Sequence, residues 1–280
     1  MTTYLLDNAW HEQRRRLSGL ESWFDPGTIR QLDARFAALD LSPDTHPDRD
    51  SGWRCLEVGA GGGSIAAWLC ERIGPAGHIL ATDLDTRFLA PLTTTYSNLT
   101  VQRHDLLADP LPPDTFHLIH ARFVLEHLPD RLAALRRLVP ALRPGGWLLI
   151  ESTDSSSWLP DPAAAPADAA LFSRWTTAFQ TLCLQAGGDA NAGRWLYGEL
   201  RAAGLTDLGA EGRVFMVQGG SPEAEVWRLT AAQVSDSIIA ANLLTADEMA
   251  RTLDLMQKPD FVWMEALVMA GWGRRPLPMR

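Results

Sequence analysis

The sequence predicts an α/β protein built on a mostly parallel, doubly wound sheet, with an N-terminal helical cap and helical lid insertions. Three observations carry that prediction. Short apolar segments bounded by glycine or aspartate alternate with amphipathic stretches between residues 54 and 151. The first segment runs into a glycine-rich bend, "LEVGAGGGSIAAWL", at 56–69. The units repeat at a length that fits strand, crossover helix and parallel strand, which places helices on both faces of one sheet.

In chain order, residues 5–39 read as two helices joined by "FDPGT", where Asp25 can cap and Pro26 can open the second helix. A polar turn, "HPDRDSGW", leads to "WRCLEV", short and apolar like a buried parallel strand, and helix signals follow from Ile65 to Arg72. "HILATD" (78–83) is a second strand, "RFLAPL" a helix, "LTVQRHD" (99–105) a third strand and "FHLIHA" (116–121) a fourth. Residues 129–142 carry apolar side chains at 132, 135, 138, 139 and 142, an amphipathic helix, and "RPGGWLLIES" turns into a fifth strand. "STDSSSWLPDPAAAPAD" is too rich in proline for a core element and reads as a linker into an insertion. Helices are expected over 167–186 and 193–205, the latter ending at Gly204, and one or two more over 222–257. "TDLGAEGRVFMVQGG" and "FVWMEALVMAGWGRR" are the sixth and seventh strands. The expected organisation is a cap over 1–45, a cofactor-binding core over 46–153, a helical lid insertion over 154–192, and the rest of the core over 193–280 with a second helical insertion at 221–257.

Bulk properties narrow the function. A chain of 280 residues with a net charge of −9 has no basic footprint for nucleic acid or an anionic membrane. Cys55, Cys70 and Cys183 are odd in number and widely spaced, which fits a reducing compartment and neither a disulfide frame nor a metal site. "MTTYLLDNAWHEQRRRL" lacks the order of a signal peptide, and no apolar run approaches the roughly 18–20 residues of a membrane span, so a cytoplasmic protein is expected.

A strand, glycine bend and helix can hold either a dinucleotide or S-adenosylmethionine. Asp83, about 20 residues on at the end of the second strand, suits the ribose of both. The glycine spacing separates them. The dinucleotide pattern G-x-G-x-x-G needs a third glycine where Ser64 stands, whereas Glu57 to Gly63 read E-x-G-x-G-x-G. A carboxylate beside the bend disfavours a pyrophosphate and suits a ligand carrying an ammonium and a sulfonium.

Several ordered motifs now resemble the class I S-adenosylmethionine-dependent methyltransferases, which have a Rossmann-like, seven-stranded sheet. They are "LEVGAGGG", "ATDLD", "RHDLLADPLP", "HARFVLEHLP" and "LRPGGWLLIES", covering 54–151. The resemblance implies that Glu57, Gly59, Ala60 and Gly61 surround the methionine end of the cofactor. It likewise implies that Asp83 binds both ribose hydroxyls with Leu84 against the adenine, that Asp105 and Leu106 meet the adenine edge, and that His120 lies near the sulfonium. Arg16, by analogy with bacterial methyltransferases of natural-product pathways, reaches the cofactor carboxylate or belongs to a solvated helix face. One departure is His117, where such proteins often carry aspartate; it is expected to affect local packing only.

For an acceptor hydroxyl, a histidine titrating near neutrality is a suitable base. His127 in "LEHL" is the first candidate and His120 the second, both following the fourth strand at the edge where ligands bind. The chain holds 11 tryptophans. Trp10, Trp23, Phe24, Trp158, Phe172 and Trp175, with Phe179, are the candidate flat surfaces for a hydrophobic or aromatic acceptor. Arg122 and Arg213 either orient an anionic group or pair with carboxylates. The expected partner is thus a small-molecule methyl acceptor, with oligomeric state open, a homodimer included. The alternatives are an NAD(P)-dependent oxidoreductase and a cofactor-binding protein without methyl transfer.

Overall fold

The computed structural model describes residues 5–6, 9–39 and 52–278. The polar turn before the first strand and the expected boundary at 45/46 therefore fall largely outside the described residues.

A seven-stranded sheet forms the centre, in the order β3-β2-β1-β4-β5-β10-β7. Its parallel half comprises β1 (Arg54–Val58), β2 (His78–Asp83), β3 (Leu99–Arg103), β4 (Phe116–Arg122) and β5 (Leu142–Asp154). β10 (Leu267–Arg274) runs antiparallel between β5 and β7 (Thr206–Arg213). β1 and β4 are buried along nearly their whole length, as strands covered on both faces must be, which is why neither shows polar–apolar alternation and why Glu57, His117 and His120 within them are buried against partners. The strand order reverses beside β1, so the carboxyl ends of β1 and β4 open onto a crevice.

Helices α2 (Ser64–Ile73), α3 (Arg131–Ala141) and α5 (Leu196–Ala202) are the crossovers. The Asp130 carboxylate accepts the Ala133 N–H at 2.7 Å and caps α3. "RFLAPL" forms only a 3₁₀ turn, Ala90–Thr94, with Pro91 in its first turn.

The cap differs from expectation. Residues Gln13–Ala38 form one helix, α1, with Pro26 inside it, and Asp25 does not cap. Phe24, Thr28, Gln31, Leu32 and Phe36 form one buried stripe that runs across the proline, so tertiary packing outweighs the single lost backbone bond. Asp25 instead pairs with Arg122 at 2.7 Å.

The helical insertions expected as a lid form a layer of their own. Helices α4 (Pro166–Gln185), α6 (Pro222–Ala240) and α7 (Ala246–Leu255) pack on a small antiparallel sheet, β6-β9-β8 (Leu159–Pro160, Val262–Met264, Met216–Gln218). The proline-rich stretch read as a linker thus supplies a strand, paired to Met264 and Trp263. Each of the two late apolar runs divides between the sheets: Thr206–Arg213 and Leu267–Arg274 join the large one, Met216–Gln218 and Val262–Met264 the small one. Trp158, Phe172, Trp175, Phe261 and Trp263 are all buried in this layer, with Phe172 and Trp263 rings 5.3 Å apart. Among the described residues no helix is long and apolar enough to cross a membrane.

Candidate functional site

β1 ends at Val58, and the backbone must reverse within five residues to start α2. Gly59 and Gly63 make that possible. Their φ values are +64° and +92°, and a Cβ at Gly59 would stand 2.3 Å from Val124 Cγ2, one at Gly63 2.4 Å from Leu92 Cδ1. The Gly61 N–H donates to Asp83 Oδ2 at 2.9 Å, which fastens the bend to the end of β2. Asp83 Oδ1 accepts the Asp85 N–H at 3.1 Å. Burial pushes the Asp83 carboxyl above the ordinary carboxylate range, and the N–H groups of Asp85, Gly61 and Leu84 oppose that.

This bend is one wall of a cavity of about 640 Å³ that reaches from the sheet edge, under α1, into the lid. That volume lies within the roughly 300–1,000 Å³ of small-molecule sites. Glu57, Gly59, Ala60, Gly61, Asp83, Leu84, Asp105 and Leu106 all line its sheet end. Leu107 N–H donates to Asp105 Oδ1 at 2.9 Å, holding the loop after β3 in a turn. Arg16 and His127 line the middle. Arg16 is buried, and its Nε donates to Thr230 Oγ1 of α6 at 2.8 Å, so it is no solvated helix face.

His127 departs from the expectation of a near-neutral histidine. Burial and the nearby Arg16 guanidinium push its pKa down to about 4, leaving a neutral imidazole across the physiological range. The second catalytic candidate is overturned by its place. His120 is 0% exposed and does not line the cavity, because its ring is clamped between β1 and β5: Nδ1 lies 2.7 Å from Glu57 Oε2 and Nε2 3.3 Å from Glu151 Oε2. Burial opposes its charge, but the two carboxylates outweigh it and raise its pKa to about 9. Glu57 therefore meets the cavity with one oxygen already committed to His120, and its charge is largely compensated.

Of the aromatic candidates only Phe24 lines the cavity, joined by Phe179. Trp158, Phe172 and Trp175 fill the lid core, since a thin layer of three helices and three short strands must bury its own apolar surface. Trp23 stacks on Phe24 with centroids 4.6 Å apart and meets Phe215 edge-on; Trp10 packs against His11. Neither Trp10 nor Trp23 reaches the cavity. Arg213 pairs with Glu151 away from the cavity, whereas Arg122 pairs with Asp25 at 2.7 Å and also lines the cavity. His117 accepts the Arg54 N–H at 3.0 Å and stays in local packing.

Sequence reasoning missed Trp227, Thr230, Glu126 and Glu265, which line the lid end. Burial pushes Glu126 up to about 7, although the Ser152 hydroxyl donates to it at 2.8 Å. Glu265 carried a readable signal: it is a lone acid inside "FVWMEALVMAG", where burying a carboxyl without a purpose is costly.

The donor set of the sheet end tests the cofactor. Asp83 and Asp105 line it beside glycine backbone and, among the described residues, without an arginine partner, whereas Glu57, Asp85 and Glu21 are paired with His120, Arg87 and Arg14. The two carboxylates without a counter-charge fit the hydroxyl-bearing, phosphate-free S-adenosylmethionine better than a pyrophosphate.

Comparison with known proteins agrees. Residues 24–206 match the family model described as a methyltransferase domain. The methyltransferase str3 of Strobilurus tenacellus is 33% identical over 129 residues, covering 46% of this chain and 42% of that protein. The ubiquinone biosynthesis O-methyltransferase of Paraburkholderia xenovorans is 28% identical over 161 residues, 52% of this chain and 65% of its own. The chain thus spans less than two thirds of either relative's length. The phosphoethanolamine N-methyltransferase 2 of Haemonchus contortus, solved with phosphomonomethylethanolamine and S-adenosylhomocysteine, shares the fold at a TM-score of 0.52 and 15% identity, over 88% of this chain and 52% of that one.

Proposed function

Since the chain belongs to the methyltransferase-domain family of class I S-adenosylmethionine-dependent enzymes, we propose that it moves a methyl group from S-adenosylmethionine to an oxygen or nitrogen of a hydrophobic or aromatic small molecule. We place that reaction in natural-product biosynthesis, the setting implied by the resemblance of the N-terminal stretch and helical insertions to bacterial methyltransferases of such pathways. One observation carries it: the Asp83–Gly61 hydrogen bond anchors a cradle that opens, through a single cavity, onto Phe179 and Trp227.

When bound, the cofactor supplies a methyl group on a sulfonium, whose C–S bond breaks as the bond to the acceptor forms. In this reading Asp83 takes the ribose hydroxyls, Leu84 and Leu106 flank the adenine, and Asp105 meets its edge. Glu57, Gly59, Ala60 and Gly61 receive the methionine end, and Arg16 reaches its carboxylate. His120 is a positioning residue, holding Glu57 from behind. His127 accepts the acceptor's hydroxyl proton on an imidazole nitrogen, a task its neutral state permits. Because a cation disappears in the transition state, alignment outweighs charge stabilisation, and holding the reactants as a near-attack pair contributes about 7–11 kcal/mol. α1 and the lid exclude water from the cavity between them.

Incubation with S-adenosylmethionine and a mixture of phenols, hydroxyquinones and arylamines, followed by mass spectrometry, tests the proposal. The expected result is S-adenosylhomocysteine together with a methylated acceptor. Tight S-adenosylhomocysteine binding with no transfer to any acceptor class would favour a cofactor-binding protein instead.

A further inference from the structure

The lid end of the cavity finishes on a group with no role in the scheme above. Glu265 sits in the turn between β9 and β10, 1% exposed and on the cavity wall. Its backbone is pinned on both sides: the N–H donates to the Phe215 carbonyl at 2.8 Å, and the carbonyl accepts the Ser157 hydroxyl at 3.0 Å. Oε2 accepts the Trp263 indole N–H at 3.4 Å. Trp227 stands beside it, edge-on to Phe179 at 6.0 Å, and both rings face the same space.

The groups acting on Glu265 are the Ala266 N–H and the indoles of Trp263 and Trp227, none of them charged. A carboxylate there would be buried without a counter-charge, which is costly, so the proton stays on and burial raises the pKa to about 8. A fixed neutral carboxyl offers an O–H to a ligand oxygen. An analogue lacking that oxygen would leave the buried O–H without a ligand partner. The other titratable groups on the cavity wall away from the glycine bend are Arg16 on α1, Arg122 at the end of β4, Glu126 and His127 after it, and Cys183 on α4.

We propose that Glu265, with the rings of Trp227 and Phe179, is the specificity-determining group of the acceptor end: it donates a hydrogen bond to an uncharged oxygen of a flat, ring-bearing acceptor and selects that acceptor over the analogue lacking that oxygen. The proposal rests on the methyl-transfer reading of the cavity, and its test separates the two.

Protein saturated with S-adenosylhomocysteine is titrated calorimetrically with 2-acetylnaphthalene, 2-ethylnaphthalene and 2-naphthylmethylammonium. At about pH 7 the ketone binds at least about tenfold tighter than 2-ethylnaphthalene, the factor expected for one buried hydrogen bond made against one left unmade. Glu265→Gln keeps that preference, because its amide N–H also donates, while Glu265→Leu reduces it to within about threefold. Raising the pH to about 9 weakens ketone binding to the wild type several-fold and leaves Glu265→Gln unchanged. Tightest binding of the ammonium with its loss in Glu265→Gln, an unchanged ratio in Glu265→Leu, or no ketone binding would overturn the proposal. Those outcomes leave the cofactor reading intact, since S-adenosylhomocysteine affinity is measured first in each variant. Loss of that affinity in the wild type would strike the methyl-transfer reading instead.

Discussion

His120 Nδ1 lies 2.7 Å from Glu57 Oε2, so the strand carrying the ligand bend is tied to its neighbour by a wholly buried ion pair. The tie continues outward. Glu151 takes the other ring nitrogen, together with the Thr28 hydroxyl and the Arg213 guanidinium, and Arg122 joins Thr28 to Asp25. One polar network therefore links β1, β4, β5, β7 and α1. Removing one partner of such a network leaves uncompensated charge, so His120→Ala is expected to cost about 3–5 kcal/mol in urea melts. The folded-state pKa of about 9 is raised above the ordinary 6.5, so the histidine's stabilisation is complete below about pH 6.5 and fades as pH rises through 9. Melts of wild type and His120→Ala should converge over that window.

Asp83 holds the ligand bend as well as facing the cavity. Asp83→Ala deletes the acceptor for Gly61 N–H and, in the proposed complex, for both ribose hydroxyls. Hydrogen bonds to a charged group are worth about 1.5–3 kcal/mol each. S-adenosylhomocysteine affinity should therefore fall at least about tenfold by calorimetry, with a Tm loss smaller than that of His120→Ala.

His127 makes a prediction about acid rather than alkali. Its pKa of about 4 lies below the unfolded value near 6.5, so the unfolded chain binds more protons between those limits, and stability drops as pH falls through them. Turnover governed by this imidazole should be level from about pH 6 upward and decline only toward pH 4. His127→Ala should lower kcat at least about tenfold while leaving S-adenosylhomocysteine affinity unchanged, a split that steady-state kinetics with calorimetry resolves.

Two tryptophans separate core from wall. Trp175 is 0% exposed inside the lid, whereas Trp227 lines the cavity. Trp175→Ala should cost about 3–5 kcal/mol in urea melts. Trp227→Ala should cost less in stability and more in affinity for 2-acetylnaphthalene.

The legibility of the chain followed the physics of each region. β1, β2 and the bend at 59–63 were readable because a doubly covered strand must be apolar and a tight reversal needs glycine. The continuous α1 was not, because Pro26 is a local breaker and the stripe from Phe24 to Phe36 that overrides it is tertiary. His120 and His127 looked alike in sequence, both just past the core of β4; only the flanking Glu57 and Glu151 reveal that one ring is spent inside the protein. The lid aromatics misled for a similar reason. Helical spacing places Phe172, Trp175 and Phe179 on one face, and packing decides that the first two fill the core while the third reaches the cavity.

The proposed reaction requires that the bend after β1 hold an adenosyl-sulfur ligand. Calorimetric titration of the protein with S-adenosylhomocysteine and, in parallel, with NADH and NADPH tests it most directly. Saturable heat is expected from the first at one site per chain, weakened at least about tenfold in Asp83→Ala, and none from the dinucleotides. Binding of a dinucleotide with none of S-adenosylhomocysteine would contradict it.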